Sequence, residues 1–168
     1  LDGGVGAWDG PLETSPTVRS PVVMPVEPWP VGAVATIDEV AAAAASGGAE
    51  GIVLDARGPE RYRGESEPVD PRAGHVPGAR SAPFAANLEV EGPRTGRFRS
   101  PDDLVARYEE IGVVDAADVV AYCGSGVSAC HDLLAMEHAG LGRGRLFVGS
   151  WSQWSHSDRP AAVGPEPC

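Results

Sequence analysis

Apolar residues fall in short blocks cut by Gly, Pro and charge. Ile52-Val53-Leu54 is a continuous apolar triplet, bounded by Gly51 and Gly58 and closed by Asp55. That is too short for a helix and reads as a buried strand with a carboxylate at its C-terminal end. Val119–Tyr122 reads as a second buried strand and Leu146–Val148 as a third. Ala33–Ala35 and Arg80–Ala82 are short extended pieces. Between these blocks the period lengthens. Leu104, Val105, Tyr108 and Ile111 share one helical face within Pro101–Ile111, with Ser100 as the cap. Thr36 followed by Glu39 fits a capping box that opens a helix running to about Ser46 and ended by Gly47-Gly48. Pro59–Tyr62 is a helical turn, and Ser128–Ala139 is a helix carrying Leu133, Leu134 and Met136. Strand and helix alternate, which predicts an α/β fold: an open, mostly parallel sheet with helices on both faces. No internal repeat is visible.

The first thirty residues do not read as an element. Pro11, Pro16, Pro21, Pro25, Pro28 and Pro30 block both helix and central strand, so this stretch is an extended linker and the domain begins near Val31. Glu65–Ala73, with Pro68 and Pro71, reads as a polar loop. The chain opens at Leu1 without a starting Met or a secretory signal, which reads as a piece of a longer protein.

Composition narrows the chemistry. The 168 residues carry a net charge of −11, and all 13 basic residues are Arg. Mechanisms that need a lysine are excluded: a Walker lysine, a Schiff base, a kinase Lys–Glu pair. The acidic surface argues against nucleic acid and anionic membranes as partners, and no apolar run is long enough to span a bilayer. Three unevenly spaced cysteines form no disulfide framework, so a reducing, cytoplasmic compartment is expected. Cys130 is expected to pack under its helix and Cys168 to be a tail thiol.

The chemistry concentrates in Val119-Val120-Ala121-Tyr122-Cys123-Gly124-Ser125-Gly126-Val127-Ser128-Ala129. A buried strand runs into a cysteine, a Gly-rich turn and a helix start. Ligands of open α/β sheets bind outside the carboxyl ends of the strands. Two glycines let the backbone form an anion-binding nest, and the helix start adds its positive end. Such a site favours a thiolate, so Cys123 is expected to be a nucleophile near neutral pH.

Cys123-Gly124-Ser125-Gly126-Val127-Ser128 resembles the active-site loop of the rhodanese sulfurtransferases, in the form carried by the mercaptopyruvate enzymes. Asp55-Ala56-Arg57 with Arg61-Tyr62-Arg63-Gly64, Gly74-His75-Val76-Pro77-Gly78-Ala79 and Gly149-Ser150-Trp151-Ser152-Gln153-Trp154 are similar to further segments of that family in the same order. Leu1-Asp2-Gly3-Gly4 and Trp8 look like the end of a preceding rhodanese repeat.

The resemblance implies a rhodanese-like fold. It divides the chain into residues 1–30, the end of a preceding repeat plus a Pro-rich linker, and residues 31–168, a catalytic rhodanese domain whose N-terminal companion domain is missing. It implies sulfur transfer from 3-mercaptopyruvate or thiosulfate, through a persulfide on Cys123, to cyanide, a small thiol or a thioredoxin-like thiol. No cofactor or metal is implied. Arg61 would hold the anionic group of the donor. Gly124, Ser125, Gly126, Val127 and Ser128 would cradle the sulfur, with the Ser125 and Ser128 hydroxyls as hydrogen-bond partners. Thiosulfate-specific relatives carry charged residues in the loop where Gly124 and Ser125 stand, which favours 3-mercaptopyruvate here. Relatives of the mercaptopyruvate type often carry a second Arg nine residues after the first; this chain has Asp70 there, with Arg72 nearby.

Other chemistries fit less well. A phosphatase loop of the Cys-x5-Arg type needs Arg where Ala129 stands. His131 and His138 are expected to point away from the thiol, and His75 to be a structural turn residue. Cys123, Cys130 and His131 match no zinc spacing. Asp55 is expected to brace the loop by hydrogen bonds, and Trp151 and Trp154 to be core aromatics. The rival from another class is a non-catalytic rhodanese-like module that binds a partner or senses redox state.

Overall fold

Val119–Tyr122 (β3) is buried at every position, as a continuous apolar strand must be when both faces of its sheet are covered. The computed structural model describes residues 2–30 and 32–167. Leu1, Val31 and Cys168 lie outside them, and with them the expected domain start at Val31, the first residue of the preceding-repeat motif and the tail thiol of Cys168. β3 pairs in parallel with Ile52–Asp55 (β1), in a register that sets Asp55 opposite Tyr122. Arg80–Ser81 (β2) and Arg145–Leu146 (β4) add parallel strands outside these two, giving the order β2-β1-β3-β4.

The two sheet faces separate the core. Leu54, Val119 and Ala121 pack under Pro101–Glu110 (α3) and Val127–His138 (α4). Val53, Val120 and Tyr122 pack under Ile37–Ala45 (α1) and Ser150–Ser155 (α5). Helices therefore cover both faces, as the alternation predicts. Pro59–Tyr62 (α2) is a single turn with Pro at its start. Thr36 and Glu39 form the full capping box, and Ser100 accepts the Asp103 N–H.

Two elements differ from expectation. The last strand is Arg145–Leu146 rather than Leu146–Val148, because its ladder is set by pairing with Val120 and Ala121; Phe147 leaves the strand with its N–H still bound to Ala121. In α4 the buried face is Ala129, Asp132, Ala135 and Met136, while Leu134 is exposed. Small residues let this helix sit close to β3, and the buried carboxylate is held by Asn87. Residues 9–30 form no helix or strand. No helix among the described residues is long and apolar enough to cross a membrane.

The order β2-β1-β3-β4 means that the chain winds outward in opposite directions from β1 and β3. The crevice beyond Asp55 and Tyr122 is thus the switch point of the sheet, where ligands of open α/β sheets bind. Cys123 is the next residue.

Candidate active site

Cys123 is only 3% exposed at the mouth of this crevice. Three hydrogen bonds tie the start of its loop to the first turn of α5. The Cys123 N–H donates to Ser150 Oγ at 3.2 Å, the Trp151 N–H to the Cys123 carbonyl at 2.9 Å, and the Ser152 N–H to the Gly124 carbonyl at 3.0 Å. Ser150 Oγ in turn donates to the Phe147 carbonyl at 2.9 Å. Ser150 has a φ of 51°, the one positive value outside glycine among the described residues. Such strain persists where surrounding contacts over-determine it, and it gathers at functional sites.

The far side of the loop turns at Gly126, whose φ of 87° is left-handed and where a Cβ would lie 3.2 Å from the Val148 carbonyl oxygen. α4 begins at the next residue. Among the described residues, the N–H groups of Gly124, Ser125, Gly126, Val127 and Ser128 donate to no protein acceptor, nor do the Ser125 and Ser128 hydroxyls. Ser125 and the Val127 side chain are exposed, Gly126 is buried, and Gly124 and Ser128 are half-buried. These are five successive donors without a protein acceptor, following Cys123 in the chain and leading into a twelve-residue helix, the kind of backbone to which a negative charge can bind.

A chain of opposite charges lines the other wall. Arg57 is buried: its Nε and Nη2 grip Asp55 at 3.0 and 2.7 Å, Nη1 donates to Glu67 at 3.2 Å, and Nη2 to the Gly74 carbonyl at 2.6 Å. Burial alone would lower the Arg57 pKa; the hydrogen bond and charge of Asp55 carry it upward instead. Asp55 differs from expectation: its carboxylate grips Arg57, and among the described residues no hydrogen bond joins it to the loop of residues 123–128. The Arg57 guanidinium lies 4.6 Å from the Trp151 ring centroid. Burial pushes the Glu67 carboxyl up, but the hydrogen bonds from Arg61 and from the Asp70 and Val69 N–H groups hold it below the ordinary range, so it is ionised.

Arg61 closes this wall over the loop. Its Nη2 donates to Glu67 Oε1 at 2.5 Å and meets Asp70 Oδ2 at 3.5 Å, and Nε donates to Glu67 at 3.3 Å. Its Nη1 faces Gly124, where a Cβ would lie 3.4 Å away. The structure therefore brings Arg61, Cys123 and the loop of residues 124–128 together.

Arg72 stands elsewhere. All three of its side-chain nitrogens donate to the carbonyls of Trp154, Ser155, Ser157 and Arg159, which caps the end of α5. His75 is a buried brace, its Nδ1 2.8 Å from the Tyr62 carbonyl and its ring stacked on Tyr62 at 3.8 Å. His131 packs among Phe84 and Phe98, away from the thiol. Trp151 and Trp154 are buried, with their indole N–H groups on the carbonyls of Arg72 and Pro160. Cys130 corrects an expectation: it is exposed rather than packed, because it faces out from the first turn of α4, with its thiol donating to the Gly126 carbonyl at 3.3 Å. Among the described residues, no group of His, Cys, Asp or Glu is placed to hold a metal ion.

Sequence reasoning did not assign Glu67, Ser150 or Ser152 to the site. Ser150 and Ser152 lie in the Gly149–Trp154 segment, so their signal was two hydroxyls in a motif already singled out. Glu67 sits in a Pro-containing polar loop and carries no local signal.

A sequence model described as a Rhodanese-like domain matches residues 36–157. The chain is 41% identical over 169 residues to the probable 3-mercaptopyruvate sulfurtransferase of Pseudomonas aeruginosa, covering 98% of this chain and 57% of that one. It is 39% identical over 171 residues to the putative thiosulfate sulfurtransferase SseB of Mycobacterium tuberculosis, covering 98% and 56%. The solved 3-mercaptopyruvate sulfurtransferase from Leishmania major superposes with a TM-score of 0.64 at 29% identity, covering 85% of this chain and 39% of that one. The chain thus spans little more than half the length of the first two relatives.

Proposed function

Because the chain belongs to the Rhodanese-like domain family, we propose that it is the catalytic half of a two-domain sulfurtransferase that carries sulfur as a persulfide on Cys123. Residues 31–168 form the catalytic domain, and residues 1–30 are the end of a preceding rhodanese repeat with its linker. The observation that carries this reading is the run of unspent N–H donors from Gly124 to Ser128 beside the Cys123 thiol. They suit a group that stays negative through the whole cycle.

In the first half-reaction the Cys123 thiolate attacks the terminal sulfur of the donor. With 3-mercaptopyruvate the carbon–sulfur bond breaks, its electron pair passes to the enolate, and protonation gives pyruvate. With thiosulfate the sulfur–sulfur bond breaks and sulfite leaves. In the second half-reaction an acceptor thiolate, or cyanide, attacks the outer sulfur and Cys123 departs as thiolate. The backbone donors stabilise the thiolate and the persulfide anion alike. Arg61, held above Gly124, takes the donor's anionic group. The donor is 3-mercaptopyruvate in preference to thiosulfate, the acceptor is a small or thioredoxin-like thiol, and the compartment is a reducing, cytoplasmic one.

The test is intact mass after exposure to 3-mercaptopyruvate and, separately, to thiosulfate, with Cys123→Ala as control. A gain of one sulfur, about 32 Da, that requires Cys123 is expected. No gain in this chain or in the full-length protein would overturn the sulfurtransferase reading and leave a non-catalytic binding or redox-sensing module.

A further inference from the structure

We propose that Asp70 is a specificity-determining residue of this site: its carboxylate sets the charge of the sulfur donor, admitting monoanions and disfavouring dianions. The inference deepens the sulfurtransferase reading and rests on it for the identity of the donor.

Asp70 touches both residues that approach Gly124, Arg61 by its guanidinium and Ser152 by its backbone N–H. Its Oδ2 lies 3.5 Å from Arg61 Nη2, and its Oδ1 accepts from Ser152 Oγ at 2.8 Å. The Ser152 N–H holds the Gly124 carbonyl at 3.0 Å. The Asp70 side chain is 3% exposed and that of Glu67 4%, so solvent screens neither well. Glu67 is the permanent counter-ion of Arg61, fixed by Arg57 and by two backbone N–H groups as well. Asp70 is a second carboxylate on a guanidinium that already has one.

The charge count follows from these contacts. Asp55, Glu67 and Asp70 face Arg57 and Arg61, three negative groups against two positive. The wall beside the nest is therefore net negative by one charge, and Arg61 alone does not reverse it. Without Asp70 the wall would be neutral. The backbone donors of the loop stabilise one negative charge at the sulfur. A donor bringing a second charge places it against this wall, where Asp70 repels it.

The size of the effect is readable in rates. A unit charge roughly 7 Å away across an effective dielectric of about 40 changes a rate constant by roughly sevenfold. Asp70→Asn should therefore raise kcat/KM for persulfide formation from a monoanion by roughly sevenfold and from a dianion by roughly fiftyfold.

The experiment compares thiosulfate, a dianion, with benzenethiosulfonate, a monoanion that delivers the same kind of sulfur. The thiosulfate to thiosulfonate ratio of kcat/KM should rise roughly sevenfold in Asp70→Asn. It should stay at the wild-type value in Ser152→Ala, which removes the hydrogen bond but keeps the charge. An unchanged ratio in Asp70→Asn, or an equal shift in Ser152→Ala, overturns the proposal. A second readout needs no sulfur transfer: alkylation of Cys123, read by peptide mass, with iodoacetate against iodoacetamide. Their rate ratio should rise several-fold in Asp70→Asn, and an unchanged ratio counts against Asp70. If no donor loads Cys123 while the alkylation ratio shifts, the sulfurtransferase reading fails and the charge filter stands.

Discussion

Ser150 takes the backbone N–H of Cys123 at 3.2 Å while its own φ stands at 51°. The residue that holds the Cys123 N–H is thus itself in a conformation that L-residues avoid. Two substitutions separate strain from hydrogen bonding. Ser150→Ala keeps the left-handed backbone and strands the Cys123 N–H, and should cost about 1–3 kcal/mol. Ser150→Gly also loses the hydroxyl but relieves the backbone, and should be more stable than the alanine variant by about 1 kcal/mol. Both should slow persulfide formation on Cys123. Urea unfolding compares the variants, and equal stability would show that the backbone at Ser150 stores no strain.

Gly126 and Gly124 should fail differently. Gly126→Ala forces a side chain onto a φ of 87° and within 3.2 Å of the Val148 carbonyl oxygen, so the turn itself must shift. Destabilisation of about 1–3 kcal/mol and loss of persulfide formation are expected. At Gly124 a Cβ meets only the end of the Arg61 side chain, 3.4 Å away. Gly124→Ala should leave stability within about 0.5 kcal/mol, as at other positions without a special constraint, and raise KM for the donor more than it lowers kcat. Thermal unfolding beside steady-state kinetics distinguishes the two; a Gly124→Ala defect confined to kcat would remove Arg61 from donor binding.

The contrast between Gly124 and Ser150 shows what was legible in the chain. The strand, the Cys-Gly-Ser-Gly turn and the helix start are contiguous, so local chemistry reveals them. So are the capping box at Thr36 and the Ser100 cap, both formed as read. Ser150 lies 27 residues from Cys123, and its acceptor role exists only after α5 docks on the sheet. Glu67 reads as a solvated loop residue because its partner Arg57 is ten positions away, across a proline. On α4, counting large apolar residues favoured Leu134, which is exposed, over Ala129, Ala135 and Asp132, which are buried. Periodicity finds a helix; which face turns inward depends on how closely the neighbouring strand approaches.

Arg57 is the residue whose loss should damage the fold most. It is 3% exposed and joins Asp55, Glu67 and the Gly74 carbonyl under the Trp151 ring. Arg57→Met leaves two buried carboxylates without their shared cation and should cost about 3–5 kcal/mol. Arg57→Lys keeps the charge but not the planar fork, and should recover less than half of that loss. Urea midpoints at neutral pH test this; an Arg57→Met variant as stable as the parent would show that Asp55 and Glu67 find other partners.

Asp132 should make the protein less stable as pH rises toward neutrality. Burial beneath α4 pushes its carboxyl up to about 7 from the usual 3.8, against the pull of Arg107, Asn87 and Tyr108, while the distant Asp55 adds to the rise. Asn87 Nδ2 donates to Oδ1 at 2.6 Å, and Oδ2 has no partner among the described residues. The folded state holds this proton more tightly than the unfolded chain does. Stability is therefore greatest below about pH 4 for this group, falls between about 4 and 7, and is level above, with a total change on the order of 4 kcal/mol. His75 and His131, whose pKa values burial lowers, contribute the opposite slope below about 6.5, and Glu67 loses its stabilising ion pair only at lower pH. The comparison with Asp132→Asn isolates the carboxyl. Urea midpoints measured from pH 4 to pH 8 should converge at the acid end, separate progressively up to about pH 7 and stay apart above it, with the variant the more stable. Parallel curves would mean that Asp132 is already ionised throughout, compensated by the Arg107 guanidinium.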